Sequence, residues 1–170
     1  MAELTPKERL QPALLDRLID QEPDKKQEPR ESRLITKKRL HEAVLRDLAW
    51  LFNTSRPGSK SGIDGFEHAR RSVLNFGLPA LCGETASTLD LVDLEQSIRQ
   101  VILDFEPRIV PDSLQVKALA SAAVLGQHNV LSIEIRGYLW AVPVPLELLL
   151  RTDVDLETGT VAIRDLGRAV

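Results

Sequence analysis

The hydrophobic period of this chain changes once, and that change fixes the order of its layers. Ile98, Val101, Ile102 and Phe105 recur at helical spacing and predict one apolar helix face. From Leu114 onward the period is two. Leu114, Val116 and Ala118 alternate with Gln115, Lys117 and Leu119. After a turn at Gly126 to Asn129, Leu131, Ile133 and Ile135 alternate with Ser132, Glu134 and Arg136. This predicts a β-hairpin with one face on a core and one face wet. Between the two regimes stands Glu106-Pro107-Arg108. Proline lacks an N–H and disfavours helical geometry in the residue before it, so Glu106 is pushed toward an extended conformation. Residues two apart in an extended chain point the same way. Glu106 and Arg108 are therefore expected to project side by side, with Pro107 stiffening the link.

The remaining segments extend both regimes. Thr5 can cap a helix that starts at Pro6 and runs to about Asp20, with Leu10, Leu14, Leu15 and Leu18 on one face. Gln21 to Arg33 holds no apolar residue and reads as a linker. It contains a second copy of the tripeptide, at Glu28, Pro29 and Arg30, so the tripeptide alone means little. A second helix is expected from Thr36 to about Phe52. Leu40, Val44, Leu45, Leu48, Leu51 and Phe52 would face inward, while Lys37, Lys38, Arg39, Glu42, Arg46 and Asp47 face out. Asn53 to Gly62 reads as a loop, and Phe66 to Leu74 as a shorter helix capped by Gly77. The helix that ends at Phe105 is expected from about Leu89, with Ser87 or Thr88 as its cap. Pro143 and Pro145 interrupt the chain before Leu146 to Arg151. A turn at Asp155 to Gly159 and a strand from Thr160 to Arg164 follow. Helices first and strands afterward predict an α+β fold, an antiparallel sheet packed against helices. Two units are expected: an N-terminal helix with its linker over 1–33, and the main domain over 34–170.

Composition excludes several classes. The net charge of -3 gives no electrostatic case for nucleic-acid binding. Aromatic residues make up only 4%, against an aromatic-lined cleft. Cys82 is the single cysteine, so no internal disulfide can form, and a reducing compartment fits. The first residues are polar, and no apolar run approaches the roughly 20 residues of a membrane span. A cytoplasmic location is expected. His41, His68 and His128 stand apart, which predicts no metal site, and no cofactor is expected. Glu95, Asp104 and Glu106 are candidate carboxylates for a hydrolase by proximity alone.

Several stretches in order carry a resemblance. They are Glu8-Arg9-Leu10 with Leu14 to Leu18, then Arg46 to Thr54, then Ser72 to Pro79, then Phe105 to Arg108, and finally the hairpin. Together the chain resembles the TssE family, baseplate wedge subunits of type VI secretion systems. That family is similar to a phage baseplate wedge protein with an old lysozyme-like label. Ala80 and Ile109 depart from its common pattern without upsetting the match. The resemblance implies a non-enzymatic scaffold that binds the wedge proteins TssF and TssG. It also implies a platform on which the contractile sheath of TssB and TssC begins to assemble, in a cytoplasmic baseplate docked at the inner-membrane complex. It puts Glu106, Pro107 and Arg108 in an interface. Leu10, Leu14 and Leu18 are then expected to dock on wedge partners. Leu131 to Ile135 and Leu146 to Arg151 could offer a strand edge to a partner, or form only the domain's own sheet. Arg108→Ala or Glu106→Lys is expected to weaken assembly and leave the monomer folded. A muramidase-like peptidoglycan hydrolase and a regulatory adaptor are the alternatives.

Overall fold

The computed structural model describes residues 13–19, 24, 35–57, 62–81, 90–119, 130–141 and 143–167. Its helices are α1 (Leu14–Leu18), α2 (Lys37–Phe52), α3 (Glu67–Arg70) and α4 (Leu91–Phe105). Its strands are β1 (Gln115–Leu119), β2 (Val130–Leu139), β3 (Leu146–Asp155) and β4 (Val161–Asp165). The strands form one antiparallel meander in the order β1-β2-β3-β4. The α+β expectation holds.

The alternating residues become the two faces of the sheet. Val116 pairs with Ile135, Ile135 with Leu150, and Leu131 with Val154, all on the inner face. Lys117 pairs with Glu134, and Glu134 with Arg151, on the outer face. The inner face meets Leu40, Val44, Leu48, Leu51 and Phe52 of α2 and Leu94, Ile98, Val101 and Ile102 of α4 in one core. Each such side chain, fully buried, contributes about 1.5–3 kcal/mol of hydrophobic stabilisation. Helix α4 lies nearest β1 and α2 nearest β4, so the two helices share one side of the sheet.

Local chemistry sets the boundaries. Thr36 caps α2 by accepting the N–H of Arg39 through its hydroxyl. Helix α4 starts later than expected, because Asp90 accepts the N–H groups of Val92 and Asp93. Ser87 and Thr88 lie outside the described residues. The helix expected over Phe66 to Leu74 breaks after Arg70. Ser72 donates to the carbonyl of Ala69 and accepts from the N–H of Leu74, which diverts the backbone into a tight turn over Val73–Asn75. Gly77 does not cap that helix. Its φ of 117° lets the chain run against Thr54, whose carbonyl accepts the N–H of Leu78. A Cβ at Gly77 would lie 2.2 Å from that carbonyl oxygen.

Of the two alternatives for these strands, the edge reading is overturned. Leu131 to Ile135 and Leu146 to Arg151 are not edges; they lie within β2 and β3, the two central strands. The edges are β1 and β4. Side chains from the helical layer guard them. Glu95 accepts the outward N–H of Ala118, and Arg99 donates to the carbonyl of Leu114. On the far side Asn53 both donates to and accepts from the backbone of Val161. Beyond Val161 the outward backbone groups of Ile163 and Asp165 have no partner among the described residues.

Candidate functional site: a charged corner between helix and sheet

At the end of α4 the chain turns through Glu106-Pro107-Arg108 into the sheet. Glu106 donates its N–H to the carbonyl of Ile102, ending the helix, with φ -122° and ψ 78°. Proline takes Glu106 out of the helix, but its ψ of 78° falls short of the extended conformation expected ahead of proline. The corner then pairs with the end of β2: Trp140 donates to the carbonyl of Arg108, and Val110 to that of Tyr138. Ile109 between them is buried.

The side chains pair as the spacing predicts, but they do not project together into solvent. Glu106 is only 3% exposed. Its Oε1 accepts from the Arg108 N–H at 3.2 Å and from Nε at 2.6 Å, while Oε2 accepts from Nη2 at 2.5 Å. This is a two-pronged carboxylate–guanidinium grip. Arg108 Nη2 also reaches Asp47 Oδ2 at 2.6 Å, across 61 positions of sequence. Burial lowers the pKa of the guanidinium, but the bonds and charge of Glu106, then of Asp47, outweigh it and raise the pKa further. Arg108 stays charged at every pH the fold survives. Nη1 has no hydrogen-bond partner among the described residues, and the side chain retains 23% exposure. Pro107 is exposed beside it.

The charge chain continues past Asp47. Arg46 donates from Nε to Asp47 Oδ1 at 2.9 Å, and its Nη1 meets Asp16 Oδ1 of α1 at 2.5 Å. The Asp16 bond raises the Arg46 pKa; burial opposes it, and Asp47 adds to the rise. The Arg46 guanidinium also lies 5.1 Å over the ring of Trp50. Five side chains, Asp16, Arg46, Asp47, Arg108 and Glu106, alternate in sign across three elements. Sequence reading missed Asp47 and Arg46. It took both for solvated outward charges, and the one available signal was an adjacent pair of opposite sign flanking an apolar stripe.

Of the other residues singled out, Leu14 and Leu18 stand 71% and 73% exposed on α1. Leu10, the Glu28 to Arg30 copy, Cys82, His128 and the turn over 126–129 lie outside the described residues. His41 faces Asp165 at 3.6 Å. Glu95 is engaged at the β1 edge, and Asp104 meets Gln100 and Arg71. Among the described residues, no helix is long and apolar enough to cross a membrane.

The result is a two-layer α+β domain with an internally paired charged corner and aromatic side chains exposed beside it. The chain belongs to the baseplate wedge protein gp25 family, whose sequence profile matches residues 38–144. The matched region runs from α2 past β2 and includes Arg46, Asp47 and Glu106-Pro107-Arg108. The resemblance to baseplate wedge proteins holds, and with it a structural role in a phage-like baseplate. Comparisons with curated proteins and with solved structures give no match.

Proposed function

We propose that this protein is a TssE-type wedge subunit of a type VI secretion baseplate, non-enzymatic, and assembled in the cytoplasm beneath the inner-membrane complex. It joins TssF and TssG and starts the sheath of TssB and TssC. Residues 34–170 serve as the body, and residues 1–33 as an arm whose Leu10, Leu14 and Leu18 dock on wedge partners. The observation that carries this reading is the state of the corner. Glu106 holds one side of the Arg108 guanidinium, leaving Nη1 and Pro107 outward, with Tyr138 and Trp140 exposed on the adjoining strand. Arginine beside large aromatics is the composition of interface centres rather than of ordinary surface. For sheath contact, the strand edge is β4 at Ile163 to Asp165, where backbone groups stand ready for an added strand.

A hydrolase reading finds no support in the geometry. Each candidate carboxylate is engaged: Glu106 is buried against Arg108, Glu95 accepts the Ala118 N–H, and Asp104 meets Gln100 and Arg71. A glycosidase needs a pair of carboxyl groups open to substrate in one cleft, and these three are tied up in separate contacts.

Pull-down with TssF and TssG, together with counts of assembled sheaths in cells, tests the proposal. Arg108→Lys keeps the charge and removes the fork. It is expected to reduce capture at least about thirtyfold, the lower end of the range for a truncated interfacial charge pair, while circular dichroism stays that of the wild type. Normal capture and normal sheath counts would overturn the role of the corner. Glu106→Lys is no longer a clean test, because at 3% exposure it sets a second cation against Arg108 and disturbs the fold itself.

A further inference from the structure

Asp47 holds both arginines of the charge chain, one on each oxygen: Arg46 on Oδ1 and Arg108 on Oδ2. Arg46 in turn divides its guanidinium between Asp47 and Asp16. Asp16 is the half-buried member of α1, a five-residue helix with no buried residue and with Leu14 and Leu18 facing out. A polar tie, not an apolar seam, therefore joins α1 to the body. The cluster holds three carboxylates and two guanidiniums, and Asp16 Oδ2 is enclosed without a hydrogen-bond partner among the described residues.

We propose that Asp47 is a positioning residue that relays the seating of α1 to Arg108. With α1 seated, the cluster carries one net negative charge. When α1 leaves, Asp16 goes with it and the cluster becomes neutral. Arg46 then has only Asp47 to pair with and draws its carboxylate away from Arg108. The Arg108 guanidinium, held by Glu106 alone, is left with more unbalanced positive charge and more free N–H donors on its outward side. An acidic group of a partner binds it more tightly in that state. Drawing off the arm through its leucines thus primes the corner, and the two contacts reinforce one another. This last step rests on the reading of the corner as a contact surface; the relay itself does not.

The test follows the arginine Nε–H signals by NMR in the full chain. Asp16→Asn is expected to shift the Arg108 signal although the two residues do not touch. In an Asp47→Asn background, Asp16→Asn is expected to leave Arg108 unmoved. Arg46→Lys gives a second cut of the same chain, independent of how well Asp47→Asn folds. An Arg108 signal indifferent to Asp16→Asn, or shifted equally with Asp47 or Arg46 replaced, overturns the relay. On the TssF and TssG pair, Asp16→Asn is expected to raise affinity about fivefold or more. Shifted signals with unchanged affinity would uphold the relay and overturn the corner as a contact surface.

Discussion

At the scale of the residue, Glu106 and Thr152 are two buried polar groups with opposite accounts. Glu106 has three donors from one neighbour, so its burial is compensated. Glu106→Gln removes the charge that balances Arg108. Loss of one partner from a buried pair costs about 3–5 kcal/mol. Arg108 is partly solvated and keeps Asp47, so about 2–3 kcal/mol is expected here, read as a fall in the urea midpoint. Thr152 is 2% exposed on the inner face of β3, and its hydroxyl has no partner among the described residues. It lines a small, otherwise apolar cavity between Phe52, Ile98 and Ile133. Thr152→Val keeps the shape and removes the orphan, so it is expected to stabilise by about 1 kcal/mol; a lowered midpoint would show that the hydroxyl has a partner. The pairing of Glu106 with Arg108 was legible from one proline and the two-residue period. The depth of Glu106 was not, because its partner Arg108 is anchored from the other side by Asp47, some sixty positions away, and sequence offers no rule that joins them.

At the scale of the element, periodicity predicted α2, α4 and the hairpin well, since a stripe of Leu and Ile leaves few ways to bury itself. The errors fell where one polar side chain decides the outcome. Ser72 ended a helix that its apolar neighbours favoured, and Asp90 took over the cap from Ser87 or Thr88. Which strands form the edges follows from the meander order, which puts the first and last strands outermost. Asn53 belongs to this scale, since it ties the end of α2 to β4. Its side chain donates to Ala49 and Val161 and accepts from Val161. Asn53→Ala is expected to cost about 1–2 kcal/mol. It is also expected to raise hydrogen-exchange rates in β4 before those in β2. Uniform acceleration across the sheet would mean that Asn53 acts on the whole fold and not on this edge.

At the scale of the whole molecule, the helices and the sheet share one core, so neither layer has a reason to survive the other. The two tryptophans report on the layers separately, Trp50 from α2 and Trp140 from the corner at the end of β2. Urea unfolding followed by fluorescence in Trp50→Phe, in Trp140→Phe, and by far-ultraviolet dichroism is expected to give coincident transitions within each variant. Separate midpoints would show two independently folding layers.

The guarding of the sheet edges biases where an added strand can pair. Glu95 and Arg99 hold backbone groups at both ends of β1, while Ile163 to Asp165 of β4 stays available. Between those two guards Val116 stays open as well, so among the described residues β1 offers one outward position and β4 offers two, Ile163 and Asp165. The sheet is lopsided: an added strand finds its longer run of free backbone groups on β4, beside the Asn53 tie to α2.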